Sequence, residues 1–142
     1  MVTNTARSRG LRAGVLAASA TAGVLVGLSR SVGDSWFAIT SGGHLWLGAG
    51  FAGTWLLLIV GVVRHVALFV ALGLLWRVLA ERRTFVVQAL LAVALTVAFV
   101  GLSPVLPGAI RPVAIDLRTV ERLVLETACV IGLLAGGRVT SS

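Results

Sequence analysis

Few side chains in this chain are able to do chemistry, and three of them lie inside apolar stretches: Arg64, His65 and Glu126. Ionisable groups are costly in such surroundings and are often kept there for a function. Arg64 could hold an anion, a lipid phosphate or a partner's carboxylate, and Glu126 could carry a proton. The structural alternatives are that Arg64 caps a bend or pairs with Glu126, and that Glu126 pairs with Arg122.

The remaining candidate residues form no catalytic or metal-binding motif. The acidic residues are scattered, Cys129 is the single cysteine, and the HExxH, GxSxG and phosphate-loop patterns are missing. His44 and His65 would lie about 31 Å apart along one helix, which is too far for both to ligate one haem. The sequence therefore predicts no enzyme, no metal site and no cofactor, with haem held through a single histidine as the weaker alternative.

The elements that must position these residues are apolar. Hydrophobic residues make up 58% of the 142 residues and charged residues 12%, whereas soluble domains average about 45–50% and about 25%. A helix of roughly 20 apolar residues crosses the ~30 Å hydrocarbon layer of a bilayer, and four runs approach that length. We therefore expect an all-α integral membrane protein, folded as a four-helix transmembrane bundle.

The expected bundle is one polytopic domain at residues 10–137. Its spans are residues 11–29, 53–76, 86–103 and 119–136, between a disordered, cytoplasmic basic tail at residues 1–9 and a polar tail at residues 138–142.

One apolar stretch, Leu45–Ala80, is too long for a simple span, because as a single helix it would measure about 54 Å. It is either one tilted span, entered by an interfacial turn at residues 44–52, or a tight hairpin that bends at Arg64 and gives five spans. The arginines favour the single span, since it places most flanking arginines on one side, as in cytoplasmic loops. Arg64 then lies near mid-membrane, at a cost of about 2.5–3.5 kcal/mol.

The segments between the spans have their own signals. Residues 30–43 are rich in serine and glycine and predict a polar loop, in which Trp36 is an interfacial anchor. Pro104 ends the third span, because proline has no amide to donate and its ring clashes with the preceding turn. An irregular loop follows through Pro112, and Asp116 is the predicted N-cap of the last helix.

Small residues recur at helical spacing in the first span. Gly14, Ala18 and Ala22 are four positions apart, and Gly23 and Gly27 form a GxxxG pair. In lipid, small residues let helix backbones approach closely and gain dispersion contacts. We therefore predict that these residues pack against a neighbouring helix.

The net charge of +7 comes from arginine alone, since the chain has no lysine. A basic balance can indicate nucleic-acid binding, but these arginines flank apolar runs and form no stripe with aromatic residues. All-arginine usage is typical of a GC-rich bacterial genome. We expect a multi-pass protein of the bacterial cytoplasmic membrane, with both termini cytoplasmic, that contacts the lipid bilayer and no nucleic acid.

The function that these features predict is that of a non-catalytic scaffolding or anchoring subunit of a larger membrane complex. Catalytic sets are missing, the polar parts are short, and the small-residue pattern suits helix contacts. The partners would be other membrane protein subunits or further copies of the chain. The alternative is a small homo-oligomeric transporter or channel that uses Arg64 and Glu126.

Overall fold

The computed structural model describes residues 4–31, 33–48, 50 and 54–137. This part of the chain contains no strand, which confirms the all-α class. Its α-helices are α1 (Asn4–Arg30), α2 (Phe37–Leu47), α3 (Thr54–Ala80), α4 (Phe85–Gly101) and α5 (Thr119–Gly137). A short 3-10 helix at Ser103–Val105 lies between α4 and α5.

Among the described residues, two helical stretches are long and apolar enough to cross a membrane. They are Arg7–Arg30 in α1 and Trp55–Ala80 in α3. The apolar helix α4 is shorter, with 17 residues, and α5 has 19 residues and carries Glu121 in its first turn. Length and composition therefore make α1 and α3 candidate spans.

α3 runs unbroken through Arg64 and His65. The alternative of a hairpin that bends at Arg64 is therefore wrong. A bend there would leave backbone amide and carbonyl groups unpaired in an apolar environment, and the local sequence has no proline, asparagine or aspartate to form a turn. The chain reverses after Ala80 instead, where Arg82 adopts the left-handed conformation with a φ of 62°.

The second helix corrects the prediction of a polar loop at residues 30–43 and of an interfacial turn at residues 44–52, because α2 occupies Phe37–Leu47. Its glycines serve close packing against α3 and do not form a loop. A Cβ atom at Gly43 would clash with the backbone of Leu57, and one at Gly61 would clash with the carbonyl of Ile39.

Two helix starts also differ from the expectation. α1 begins at Asn4, so residues 4–9 are helical and do not form a disordered tail; residues 1–3, Gly53 and the polar tail at residues 138–142 lie outside the described part. α5 begins at Thr119, and Asp116 is not its N-cap. Glu121 does the capping: its Oε2 atom accepts a hydrogen bond of 2.8 Å from the Arg118 amide, which satisfies a backbone donor that the helix start leaves unpaired.

The core forms where α1 lies between α3 and α5. Ala13, Ala17 and Ala18 of α1 are buried there against large side chains, among them Phe69 and Trp76 of α3. The small side chains let the helix axes approach. A Cβ atom at Gly14 would lie 2.5 Å from the Cα atom of Val70, and one at Gly132 of α5 would lie 2.5 Å from that of Ala17.

The predicted packing residues of the first span separate into two groups. Gly14 and Ala18 are buried against α3, and Ala22 is half-buried. Gly23 and Gly27 are exposed, and Cβ atoms built on them meet nothing within 4 Å. This pair makes no packing contact within the described part of the chain, because α3 and α5 cover the other side of α1; its packing against a neighbouring helix stays a prediction.

We predict that Gly14→Ala lowers the free energy of unfolding of the protein in detergent by about 1–3 kcal/mol, because the added methyl group collides with the α3 backbone. Gly23→Ala on the same helix is the matched control. It adds the same methyl group in open space, so it should leave the stability unchanged or raise it by up to about 1 kcal/mol through helix propensity. Equal losses in both variants would contradict the packing of α1 on α3.

Candidate functional site

The middle of α3 presents two buried polar side chains in succession. Arg64 is 2% exposed and His65 is 5% exposed. As neighbours in a helix they point in different directions. Arg64 faces α2 and the connection between α4 and α5, whereas His65 faces α1.

The Arg64 guanidinium holds a non-helical segment. Its Nη2 atom donates a hydrogen bond of 2.9 Å to the carbonyl of Gly108 and a second bond to the carbonyl of Arg111. Its Nη1 atom lies beside Gly42, where a Cβ atom would be 3.3 Å away. The structural alternatives considered for Arg64, capping a bend or pairing with Glu126, are therefore wrong: this side chain binds backbone oxygen atoms.

The segment that Arg64 holds is the loop 102–118, defined as residues 102–118 between α4 and α5. Three further side chains also bind its backbone, one from α2 and two from the loop itself. Trp46 of α2 donates from Nε1 to the Ala109 carbonyl at 2.9 Å, and Arg111 donates to the Pro104 carbonyl at 3.0 Å. Ser103 both donates to the carbonyl and accepts from the amide of Val113.

The loop takes side-chain donors from α2 and α3 in addition to its own, because three of its positions provide no amide donor. Pro104, Pro107 and Pro112 have no amide hydrogen, and outside a helix the carbonyl groups lack intrahelical partners. The end of α4, just before the loop, also receives a side-chain donor, because Arg122 of α5 donates to the Gly101 carbonyl. Arginine, with five donors in a planar group, suits this role.

His65 is joined to α1. Its Nε2 atom lies 3.1 Å from the Ala18 carbonyl and 3.0 Å from the Thr21 hydroxyl. Since a carbonyl only accepts, Nε2 is the donor in the contact with Ala18. The Thr21 hydroxyl in turn donates to the Ala17 carbonyl at 2.7 Å. His44 lies elsewhere, with its Nδ1 atom 3.2 Å from the Gly48 carbonyl, so the two histidines do not share a site.

Glu126 pairs with Arg122 one turn earlier on α5, as the spacing of the two residues predicts. The Arg122 Nε atom lies 3.5 Å from Glu126 Oε1, and the Glu126 side chain is 13% exposed. Arg122 therefore has two partners, this carboxylate and the Gly101 carbonyl at the end of α4. The pair joins α5 to α4, and Glu126 does not reach Arg64.

Two clefts lie on either side of residues 113–117. The smaller one, of about 100 Å³, is lined by Ser103, Arg111 and Arg122 among others. The larger one, of about 470 Å³, opens between the end of α1, the start of α2 and the loop 102–118, and its lining includes Asp116 and Glu121. Within the described ranges, no three histidine, cysteine, aspartate or glutamate residues come close enough to hold a metal ion.

The sequence pattern identified Arg64 and His65 as buried polar residues but not their partners. Arg111 and Trp46 were missed as parts of the site. The available signal was the proline-rich loop itself, because a segment that lacks amide donors beside an apolar helix requires donors from elsewhere.

We predict that Arg64→Leu frees the loop 102–118. The variant leaves the carbonyls of Gly108 and Arg111 without donors, and each buried unpaired group costs about 1–3 kcal/mol. Hydrogen exchange at the amides of residues 105–113 should accelerate at least tenfold, while α1 and α5 stay protected. Arg118→Leu, at an exposed position of the same loop, is the control. Unchanged exchange in Arg64→Leu would show that Arg64 does not hold the loop.

Comparison with protein-family models, with curated proteins and with solved structures gives no match in any of the three. The function proposed below therefore rests on the residues and contacts described above.

Proposed function

We propose that the chain is a multi-pass protein of the bacterial cytoplasmic membrane, built as a four-helix bundle of α1, α3, α4 and α5. The length of α3 supports this proposal. From Trp55, which is 79% exposed, to Arg77 the helix rises about 33 Å, close to the ~30 Å of the hydrocarbon layer. An exposed indole at one end and an arginine at the other are typical interfacial anchors.

The orientation that we propose places the start of α1 and the end of α5 in the cytoplasm. The start of α1 and the end of α5 lie together, since Gly136 packs against Ala13. Arginines of α1 and of the α3–α4 turn are concentrated at that end. Arginine-rich segments of membrane proteins remain on the cytoplasmic side, which supports this orientation.

Within the membrane, we propose that the protein is a non-catalytic scaffolding or anchoring subunit of a larger complex. The observation that carries this proposal is the outer face of α1, where Ser19, Gly23 and Gly27 are exposed four residues apart. Nothing in the chain lies within 4 Å of a Cβ atom on either glycine. Small residues on a lipid-facing surface allow another helix to approach its backbone closely.

The roles of the buried polar residues fit a structural function. The Arg64 guanidinium binds the loop 102–118, His65 binds α1, and Glu126 pairs with Arg122. Arg64 and His65 each join two elements of the bundle, and Arg122, the partner of Glu126, joins α5 to the end of α4. A bundle that is cross-linked in this way and has an uncovered small-residue face on α1 suits a subunit that holds its neighbours.

We predict that extraction in a mild, neutral detergent yields the protein together with other membrane protein chains, and that Gly23→Leu/Gly27→Leu releases it as a single chain. Two leucines would fill the space that the partner's backbone needs. The readout is the composition of the purified particle by native gel and mass spectrometry.

The matched control is Ala94→Leu/Ala98→Leu, which places the same two leucines four residues apart on the exposed face of α4. This variant should stay in the complex. Purification of the unaltered protein alone, as a stable and active monomer, would contradict the subunit proposal.

A second proposal, a small homo-oligomeric transporter or channel, is favoured by one observation. The Nε atom of Arg64 is buried and has no hydrogen-bond partner among the described residues, so the fold leaves one donor of this cation unpaired. Against it stands the use of the same guanidinium by the loop 102–118. We consider the subunit proposal the better supported of the two.

The transport proposal predicts that reconstituted protein moves an ion or small solute across liposomes and that Arg64→Ala abolishes the flux. Arg64→Lys keeps a positive charge and should retain part of it, and Arg118→Ala should retain all of it. Undiminished flux in Arg64→Ala would exclude Arg64 as the working residue.

A further inference from the structure

One end of the bundle carries an excess of arginine. This end, termed the arginine end, comprises the first turns of α1, the last turn of α3 and the α3–α4 turn. Glu81 is the acidic residue within it, and at the opposite end the arginines are accompanied by Asp34, Asp116, Glu121 and Glu126. The arginines of the arginine end are Arg7, Arg9, Arg12, Arg77, Arg82 and Arg83.

One of these arginines, Arg77, lies at the contact between α1 and α3, and a second, Arg9, precedes Gly10 at the same level of the bundle. Gly10 lets α1 approach the start of the Arg77 side chain closely, since a Cβ atom at Gly10 would lie 3.2 Å from the Cβ atom of Arg77. Arg9, the preceding residue, and Arg77 are both half-buried. The Nε atoms of both are buried without a hydrogen-bond partner in the described part of the chain.

Neither Arg9 nor Arg77 forms an ion pair in the described part of the chain, although Glu81 lies four residues after Arg77. The ion pair found there is between Arg122 and Glu126, on α5. The residues outside the described part contain no aspartate or glutamate. Partly buried guanidinium groups that have lost water contacts gain most from an anion that accepts hydrogen bonds.

The position of the two side chains along α3 indicates which anion they meet. Arg77 lies about 33 Å from Trp55 along the helix, so in the proposed membrane placement the two residues are at opposite headgroup layers. The anion available at that level is the phosphate of a phospholipid. The planar guanidinium donates two parallel hydrogen bonds to phosphate oxygens, which a single ammonium group cannot do.

We propose that Arg77, at the α1–α3 contact, and Arg9, at the same level on α1, bind the phosphate group of an anionic phospholipid. The other arginines of the arginine end select lipids of net negative charge, because they repel the choline or ethanolamine cation of a zwitterionic headgroup. The proposal rests on the membrane placement proposed above and not on the subunit function.

The test uses the full chain in dodecyl maltoside, with lipid binding measured by native mass spectrometry and by the rise in melting temperature. Phosphatidylglycerol should bind at least tenfold more tightly than phosphatidylcholine. Arg9→Gln/Arg77→Gln should weaken phosphatidylglycerol binding about 25-fold, since each arginine near an anionic lipid contributes about fivefold. Arg9→Lys/Arg77→Lys should retain an intermediate affinity, because it keeps the charge without the paired donors.

The matched control is Arg30→Gln/Arg118→Gln, which removes two exposed arginines from the opposite end and should bind phosphatidylglycerol as the unaltered protein does. An equal loss in this control would overturn the site, because the affinity would then depend on net charge alone. Equal binding of the two lipids by the unaltered protein would overturn it as well. If the double glutamine variant does not fold, Arg77→Gln alone decides, with an expected loss of about fivefold.

Two further additions distinguish the source of the anion. Inorganic phosphate at about 10 mM, which screens charges only weakly, should leave phosphatidylglycerol binding and the melting temperature unchanged. Displacement of the lipid by phosphate would overturn the lipid assignment in favour of a soluble anion. Displacement by a glutamate-rich peptide would overturn it in favour of an acidic protein segment. These measurements use the isolated chain, so their failure is distinguishable from a failure of co-extraction with partners.

Discussion

Backbone carbonyl groups that lie outside a helix and away from water must find hydrogen-bond donors, and this requirement organises one half of the molecule. The loop 102–118 obtains its donors from Arg64 of α3 and Trp46 of α2. Arg122 of α5 serves the end of α4 just before it. Each donor connects a different helix to the same stretch of backbone. These hydrogen bonds therefore position the loop and also connect α2, α3 and α5 to one another through it.

The unequal lengths of the helices explain why a loop is needed in that place. α3 has 27 residues and α4 has 17, so α4 ends before the N-terminal part of α3 is covered. α2 and the loop 102–118 occupy that region, and Gly43 and Gly61 allow α2 to pack directly on the backbone of α3. In the proposed membrane placement, such a non-helical segment is tolerated because protein side chains bind its backbone.

The properties that were predicted correctly from the sequence are local ones. Apolar content and the spacing of charged residues indicate α1, α3, α4 and α5, and the i, i+4 spacing predicts the Arg122–Glu126 pair. What depends on distant residues was not predictable. α2 packs on α3 through glycines that lie against Leu57 and Arg64, a contact between residues distant in sequence. The partners of Arg64 are backbone atoms, which no side-chain pattern reveals. Gly14 and Gly27 look alike in sequence, and only their neighbours separate them.

The α3–α4 turn has a consequence for how the chain is assembled. Trp76 donates from its indole to the Gln88 carbonyl, and the Gln88 side chain donates to the Arg83 carbonyl. Contacts between residues so near in sequence form early, because little chain entropy is lost in closing them. The contact of α1 with α5 joins the two ends of the chain and exists only after synthesis has reached α5. Until α5 has been synthesised, the alanine face of α1 lacks the helix that covers it, so the core of the bundle closes late.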